Sequence, residues 1–299
     1  ATPAQTPRNT RSHRSKRDNK LLPTNTPDRP GDYREITVVS QNIRGAQAEK
    51  GIDGTWDFDK IEELAFLMEE RDIDVLLLQE TWIPDDFVRE INGKLMIHHG
   101  HPEKSSAKGG VAILLSEYAR SAWTAAGMHI IKPGDMVEGN KAARLLGIRL
   151  NFRCGKHTQN LTILNVYAPH SGYALEKRES FYEKLQHVVE LEKTDKRMVI
   201  IGGDLNASIG TRAESPEAQN LIGPNGINHK NESGNIVVDM MLQSNLMAPM
   251  SFFEHARYDT CLSFGNNRKL YQNDYWLAQV EVSLIIIFEP PVLRCVPYA

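Results

Sequence analysis

A chain of 299 residues, 40% of them hydrophobic, is long enough to bury one full core or two small ones. A net charge of −3 excludes a polyanion binder that works by overall charge, and three cysteines (Cys154, Cys261, Cys295) without C-x-x-C spacing speak against a disulfide scaffold or a zinc cage. No apolar stretch approaches the ~20 residues of a membrane span and no signal peptide is recognisable, so a reducing intracellular setting, nuclear or cytoplasmic, with no membrane partner is expected.

Residues 1–32 are rich in Pro, Thr, Asn and Arg without apolar periodicity and read as a disordered basic tail. Arg8, Arg11, Arg14, Lys16, Arg17 and Lys20 face one acid, Asp18, so this arm is either a weak holder of nucleic-acid phosphates or simply solvated. From Tyr33 onward, short β-branched runs alternate with amphipathic helices. ITVVSQN (36–42) reads as a strand. DKIEELAFLMEE (59–70) places Ile61, Leu64, Ala65 and Met68 on one helical face, with Asp59 as N-cap. DVLLLQE (74–80) and GGVAILLS (109–116) read as buried strands. RLLGIRLNF (144–152) and LTILNVYAP (161–169) follow, joined by a polar turn at 155–160. ALEKRESFYEKLQHVVELEK (174–193) presents Phe181, Leu185, Val188 and Val189 at helical spacing. MVIIGGDLN returns as a strand, a Gly/Asn-rich loop (223–234) leads to a short helix near 235–244, and later strands fall around 260–264 and 272–279. No repeat or linker divides residues 33–299. The alternation implies one α/β sandwich domain there: two mostly antiparallel sheets packed face to face, helices outside, four layers in all.

Several of these strands run apolar and end in polar groups: Gln41-Asn42, Gln79-Glu80, Asn165 with Tyr167, and Asp204 with Asn206; Asp274 lies in a late strand. Strands lying side by side would bring these ends to one rim and one pocket. Glu80 and Asp204 without Cys or His partners form a hard, oxygen-only environment, which suits Mg²⁺ or Mn²⁺ and disfavours zinc. Asn42 and Asn206 can orient a carboxylate or grip a phosphate oxygen without adding charge. Each residue also has a plain structural explanation. Asp204 could be a cap, Glu80 a solvated strand terminus, Asn42 a turn residue before Gly45, Tyr167 a core tyrosine, and Asp274 a partner of Arg268 or Lys269. The coincidence of all five is what points to a site.

SQNIRG, LLLQETW, GGVAILLS, NVYAPHSG and IIGGDLNASIG, in that order, resemble the endonuclease/exonuclease/phosphatase superfamily. YAPHSG before a long helix, and the stretch from GPNGINHKNESGN to QNDYWL, are similar to the apurinic-endonuclease-like domain of LINE-type retrotransposons and its craniofacial-development-protein relatives. The resemblance covers about residues 36–279 and implies a role at each matching position. Glu80 would bind the metal, with Asn42 and Asp204 completing the metal site. Tyr167 and Asn206 would hold the scissile phosphate, and Asp204 would orient or activate the attacking water. Asp274 would orient a histidine base, while Thr260 and Arg44 would lie on the DNA-contacting surface. The reaction implied is in-line attack of water on a DNA phosphodiester with Mg²⁺ as cofactor. A longer parent polyprotein carrying a reverse transcriptase is a further implication.

The pattern breaks at its end. The family closes on Ser-Asp-His after the Q-x-D-Y strand, whereas residues 275–299 here contain no histidine. The domain is therefore expected to lack its C-terminal strand and its base; His170 and His255 are the histidines nearest to matched motifs. Two alternatives stand beside a weakened endonuclease: an inactive remnant that folds and binds nucleic acid or a protein partner, and a small-molecule phosphatase of the same fold.

Overall fold

The structure, a computed structural model, describes residues 36–46, 49–50, 56–100, 109–134, 136–138, 143–154, 157–194, 196–254, 262–264 and 270–280. The expected basic tail, Thr260, His255 and the expected loss of a C-terminal strand fall outside the described residues.

In chain order the strands begin with β1 (Val38–Asn42), β2 (Glu49–Lys50) and β3 (Trp56–Asp57), then helix α1 (Asp59–Glu70). Next come β4 (Val75–Gln79), β5 (Phe87–Ile91), β6 (Lys94–His99), β7 (Val111–Leu115) and helix α2 (Glu117–Ala125). β8 (Ile130–Ile131), β9 (Leu145–Cys154) and β10 (His157–Tyr167) lead into α3 (Leu175–Glu192) and β11 (Arg197–Asp204). The last elements are α4 (Glu232–Ser244), β12 (Leu246–Met247), β13 (Leu262–Phe264), β14 (Leu270–Gln272) and β15 (Asp274–Gln279).

Two sheets carry the fold, ordered β1-β4-β7-β6-β5 and β12-β15-β11-β10-β9-β8. Each holds one parallel pair, β1/β4 and β10/β11, and its other neighbours are antiparallel. A parallel pair delivers two carboxyl ends to the same edge, so four strand ends collect at one rim. Strand parity divides the core into three layers. Leu76 and Leu78 of β4 pack with Ile61, Leu64, Ala65 and Met68 of α1. Val75 and Leu77 point the other way and meet Leu161, Ile163 and Tyr167 of β10 between the sheets. Leu164 and Val166 of β10 pack beneath Phe181, Leu185 and Val189 of α3 and Val237, Val238 and Met241 of α4.

The sequence reading differs from this in local ways. Phe58, not Asp59, occupies the N-cap of α1 and makes no side-chain cap bond; Asp59 lies inside the first turn, where its charge suits the helix dipole. The polar turn expected at 155–160 is shorter, because pairing with β9 holds His157–Asn160 in β10. Helix α4 starts at Glu232 because Asn231 Oδ1 accepts the Gly234 N–H at 2.7 Å. The β5/β6 hairpin and α2 were not foreseen. Asn92 and Gly93, at φ 44° and 74°, form the left-handed turn that the hairpin needs. Ser116 caps α2 by accepting the Ala119 N–H at 3.2 Å. No helix among the described residues is long and apolar enough to cross a membrane.

Candidate active site at the carboxyl rim

The glycine pair of IIGGD explains how the rim is assembled. A Cβ on Gly202 would collide with the Trp276 indole, and one on Gly203, at φ 135°, would collide with the Val166 carbonyl. The two glycines therefore let β11 lie close against β15 and β10 just before Asp204. Pairing then sets Tyr167 opposite Asp204 and Asp204 opposite Asp274.

Across the sheets, Asn42 Nδ2 donates to Glu80 Oε1 at 2.7 Å and to Asp204 Oδ2 at 3.0 Å. One amide thus joins carboxylates carried by different sheets. Asp204 Oδ1 accepts the Asn206 N–H at 2.9 Å, and Asn206 Nδ2 donates to the Ala168 carbonyl at 2.8 Å. The Asn42 oxygen accepts the Arg44 N–H at 3.2 Å, so the amide presents its NH₂ to both acids and acts as the group that orients them. Arg44, Glu80 and Asn206 all adopt left-handed φ values, 50°, 55° and 46°. Such backbone is uncommon for non-glycine residues and gathers where function demands it.

Electrostatics mark the same place. Burial, and secondarily the Glu80 charge, push Asp204 up to about 6 against the hydrogen bonds from Asn206 and Asn42. Burial and the Asp204 charge hold Asp274 well above the ordinary carboxylate range. Burial and Glu80 raise the Tyr167 hydroxyl, which therefore stays protonated at neutral pH. A divalent cation would relieve all of these.

The structure brings together Asn42, Glu80, Tyr167, Asp204, Asn206 and Asp274, with Arg44 close enough for its charge to lower both aspartates. Gln79 and Asn165 do not join them: Gln79 Nε2 donates to Asn165 Oδ1 at 2.7 Å and to Ser40 Oγ at 3.0 Å, buried between the sheets. Arg144 is a residue that sequence reasoning missed. It is buried, with its guanidinium 5.0 Å from the Tyr167 ring centre and 5.1 Å from that of Tyr173, and Nη2 donates to the Tyr173 hydroxyl at 2.9 Å. An arginine heading an apolar strand was its only sequence signal. His170 is exposed on the loop after β10, where burial and the Arg144 charge lower its pKa.

The donor set fits Mg²⁺ or Mn²⁺. It offers carboxylate and amide oxygens, and among the described residues no group of three His, Cys, Asp or Glu is arranged to hold a metal ion by itself. A hard ion that keeps several waters and takes phosphate oxygens needs no more than that.

A family model described as the Endonuclease/Exonuclease/phosphatase family matches residues 39–245. Craniofacial development protein 2 from Bos taurus is 27% identical over 208 residues, covering 67% of this chain and 31% of that protein. The Tragulus javanicus protein of the same name is 26% identical over 208 residues, covering 67% and 32%. The chain thus spans about a third of the length of these curated relatives. Among solved structures, the Xenopus laevis APE2 catalytic domain superposes with a TM-score of 0.55 at 16% identity, over 83% of each chain. The 3′ phosphatase NExo from Neisseria, bound to a product DNA hairpin, superposes with a TM-score of 0.56 at 14% identity, over 84% of this chain and 89% of that one. These two likenesses establish the shared fold.

Proposed function

The chain belongs to the endonuclease/exonuclease/phosphatase family, and from that premise we propose that it is a Mg²⁺- or Mn²⁺-dependent phosphodiesterase that hydrolyses the DNA backbone, of the retrotransposon endonuclease type. The observation that carries this reading is the Asn42 amide holding Glu80 and Asp204 together at the rim where the parallel strands end.

Glu80 and Asp204 would hold the metal, which when bound supplies positive charge to a phosphate oxygen. Asn42 fixes the spacing of the two acids. Tyr167, kept protonated, donates its hydroxyl hydrogen to a phosphate oxygen. Asn206 spends one amide hydrogen on the Ala168 carbonyl and directs the other at the phosphate. Asp204, set beside Asn206 at the end of β11, would orient the attacking water and take its proton. The donors stand on strand ends and are preorganised for the charge that grows on the pentacoordinate phosphorus.

The test is nicking of supercoiled plasmid with Mg²⁺ or Mn²⁺ by the wild type and by Asp204→Ala. Nicking by the wild type alone is the expected result, and nicking by neither protein removes the enzyme reading. A second reading is a remnant that binds nucleic acid or a protein partner without cutting. It predicts DNA retention that falls with salt, and no cleavage with any divalent ion.

A further inference from the structure

Trp82 is an exposed large apolar side chain, 43% accessible, two residues after Glu80. Its surroundings hold it in place. Its φ is 58°, in the left-handed region, as is that of Glu80. The Trp82 N–H donates to the Gly109 carbonyl at 2.8 Å and the Thr81 N–H to the Gly110 carbonyl at 3.2 Å. The Thr81 hydroxyl is 2.7 Å from His98 Nε2, whose other nitrogen, Nδ1, is 2.6 Å from the Asp85 carbonyl. A carbonyl can only accept, so Nδ1 carries the proton and Nε2 accepts from Thr81. The indole rests on Gly45, at φ 99°, where a Cβ would sit 2.5 Å from ring atom Cε3. That seat is itself fixed: Gly45 and Ala46 donate to the Glu80 and Thr81 carbonyls at 2.6 and 2.9 Å, and Lys60 Nζ donates to the Gly45 carbonyl at 3.1 Å. Exposed Arg44 adjoins the seat and places its cation near Asp204 and Asp274.

A preset, solvent-facing indole beside an exposed guanidinium, at the edge of two carboxylates, matches a planar base next to a phosphate. Base stacking on an aromatic ring is tolerant of sequence, and arginine takes the phosphate. Sugar and lipid phosphate esters carry no aromatic face to stack on the indole. A base inside a regular duplex is already stacked on its neighbours and offers no face. Resting on the phosphodiester reading of the rim, we infer that Trp82 is the stacking platform for an unstacked nucleobase flanking the bound phosphate. The substrate class is then nucleic acid with a locally open strand.

The test is fluorescence-anisotropy binding of a labelled single-stranded oligonucleotide and of its perfect duplex, to the full chain, in Ca²⁺. Four proteins are compared: wild type, Trp82→Ala, Trp82→Leu and Trp82→Phe, each checked for wild-type melting behaviour. The wild type should prefer the single strand. Trp82→Ala and Trp82→Leu should weaken single-strand binding by about 5- to 100-fold with little change for the duplex, and Trp82→Phe should restore most of it. Single-strand binding within twofold of wild type in Trp82→Ala overturns the inference. So do an equal loss on both probes, full rescue by Trp82→Leu, and absence of single-strand binding by the wild type. Failure of the phosphodiester reading looks different: it appears as a wild type that nicks no plasmid, whatever its binding pattern.

Discussion

Two amide-centred clusters stand one rung apart in the layer between the sheets. On the inner rung, Gln79 and Asn165 hydrogen-bond each other, Gln79 reaches Ser40, and Asn165 Nδ2 donates to the Leu78 and Ala112 carbonyls at 2.9 and 2.8 Å. On the outer rung, two residues further along β1, β10 and β11, Asn42 meets Glu80 and Asp204, with Tyr167 and Asp274 beside them. Both clusters join the two sheets. The inner one is neutral and its amide donors are satisfied by the chain itself, while the acceptor Gln79 Oε1 has no hydrogen-bond partner among the described residues. The outer one gathers three carboxylates, of which Asp204 and Asp274 are pushed above the ordinary range by burial, and its backbone is left-handed at Glu80 and Asn206. An amide at the end of a buried strand can therefore be a fastener or part of a site, and its neighbours' charge decides which.

Asp204→Asn separates the two rungs most strongly. Nicking should fall by about 10²–10⁴-fold. The metal-free protein should nevertheless gain stability at pH 7. The Asp204 pKa rises from 3.8 to about 6 on folding, so its favourable contribution is complete below about 4 and is lost as pH rises through about 6. Urea unfolding at pH 4.5 and 7 reads both points. A variant less stable than the wild type at pH 7 would place Asp204 among the fasteners.

Asn165→Ala addresses the inner rung. It removes three hydrogen bonds and strands two buried carbonyls, which should cost about 3 kcal/mol in urea unfolding. Mg²⁺ affinity of the folded fraction, measured by calorimetry, should stay within twofold. A selective loss of metal affinity with unchanged stability would exchange the roles of the two rungs.

His98 supports the Glu80–Trp82 segment from behind, and its effect depends on acid. Burial, opposed by the Asp85 carbonyl, lowers its pKa from 6.5 to about 4. Stability is then complete above pH 6.5 and declines as pH falls towards 4, by about 2 kcal/mol at pH 5. Asp204 works in the opposite direction over the same window, so the decline should be steeper in Asp204→Asn and flatter in His98→Gln. Chemical denaturation at pH 5, 6 and 7 separates the two slopes.

How much of this was legible in the sequence follows from the same contrast. The strands around the rim were readable because burial on both faces leaves uninterrupted apolar runs such as VLLLQ, and α1 and α3 because their apolar spacing is helical. The β5/β6 hairpin escaped because Val88, Arg89 and Glu90 are exposed and break the apolar pattern, although Asn92-Gly93 announced the turn. Among the site residues, Asn42, Glu80, Tyr167 and Asp204 stood at strand ends and could be gathered by that position alone. Asn165 shared the signal yet belongs inside, because side-chain parity along β10 places it one rung deeper than Tyr167. Arg144 and the seat of Trp82 on Gly45 arise from contacts between distant segments, which no local pattern encodes.

Asn42→Ala is the smallest and most discriminating change. Asn42 is neutral and touches both acids, so its removal leaves the carboxylates in place while freeing them from one another. Groups that orient metal ligands without binding the ion typically set affinity by a factor of ten or more. Mg²⁺ affinity should therefore fall about tenfold, while stability, read by urea unfolding at pH 7, changes little because the side chain is only half-buried. Asn42→Asp should behave differently: a fourth carboxylate beside Glu80, Asp204 and Asp274 deepens the repulsion in the metal-free protein and is relieved by the ion, so melting temperature becomes more sensitive to Mg²⁺ than in the wild type. If Asn42→Ala lowered stability as far as Asn165→Ala and left Mg²⁺ affinity intact, the outer amide would be a fastener like the inner one. The carboxylates at the rim would then need another explanation for their raised pKa values.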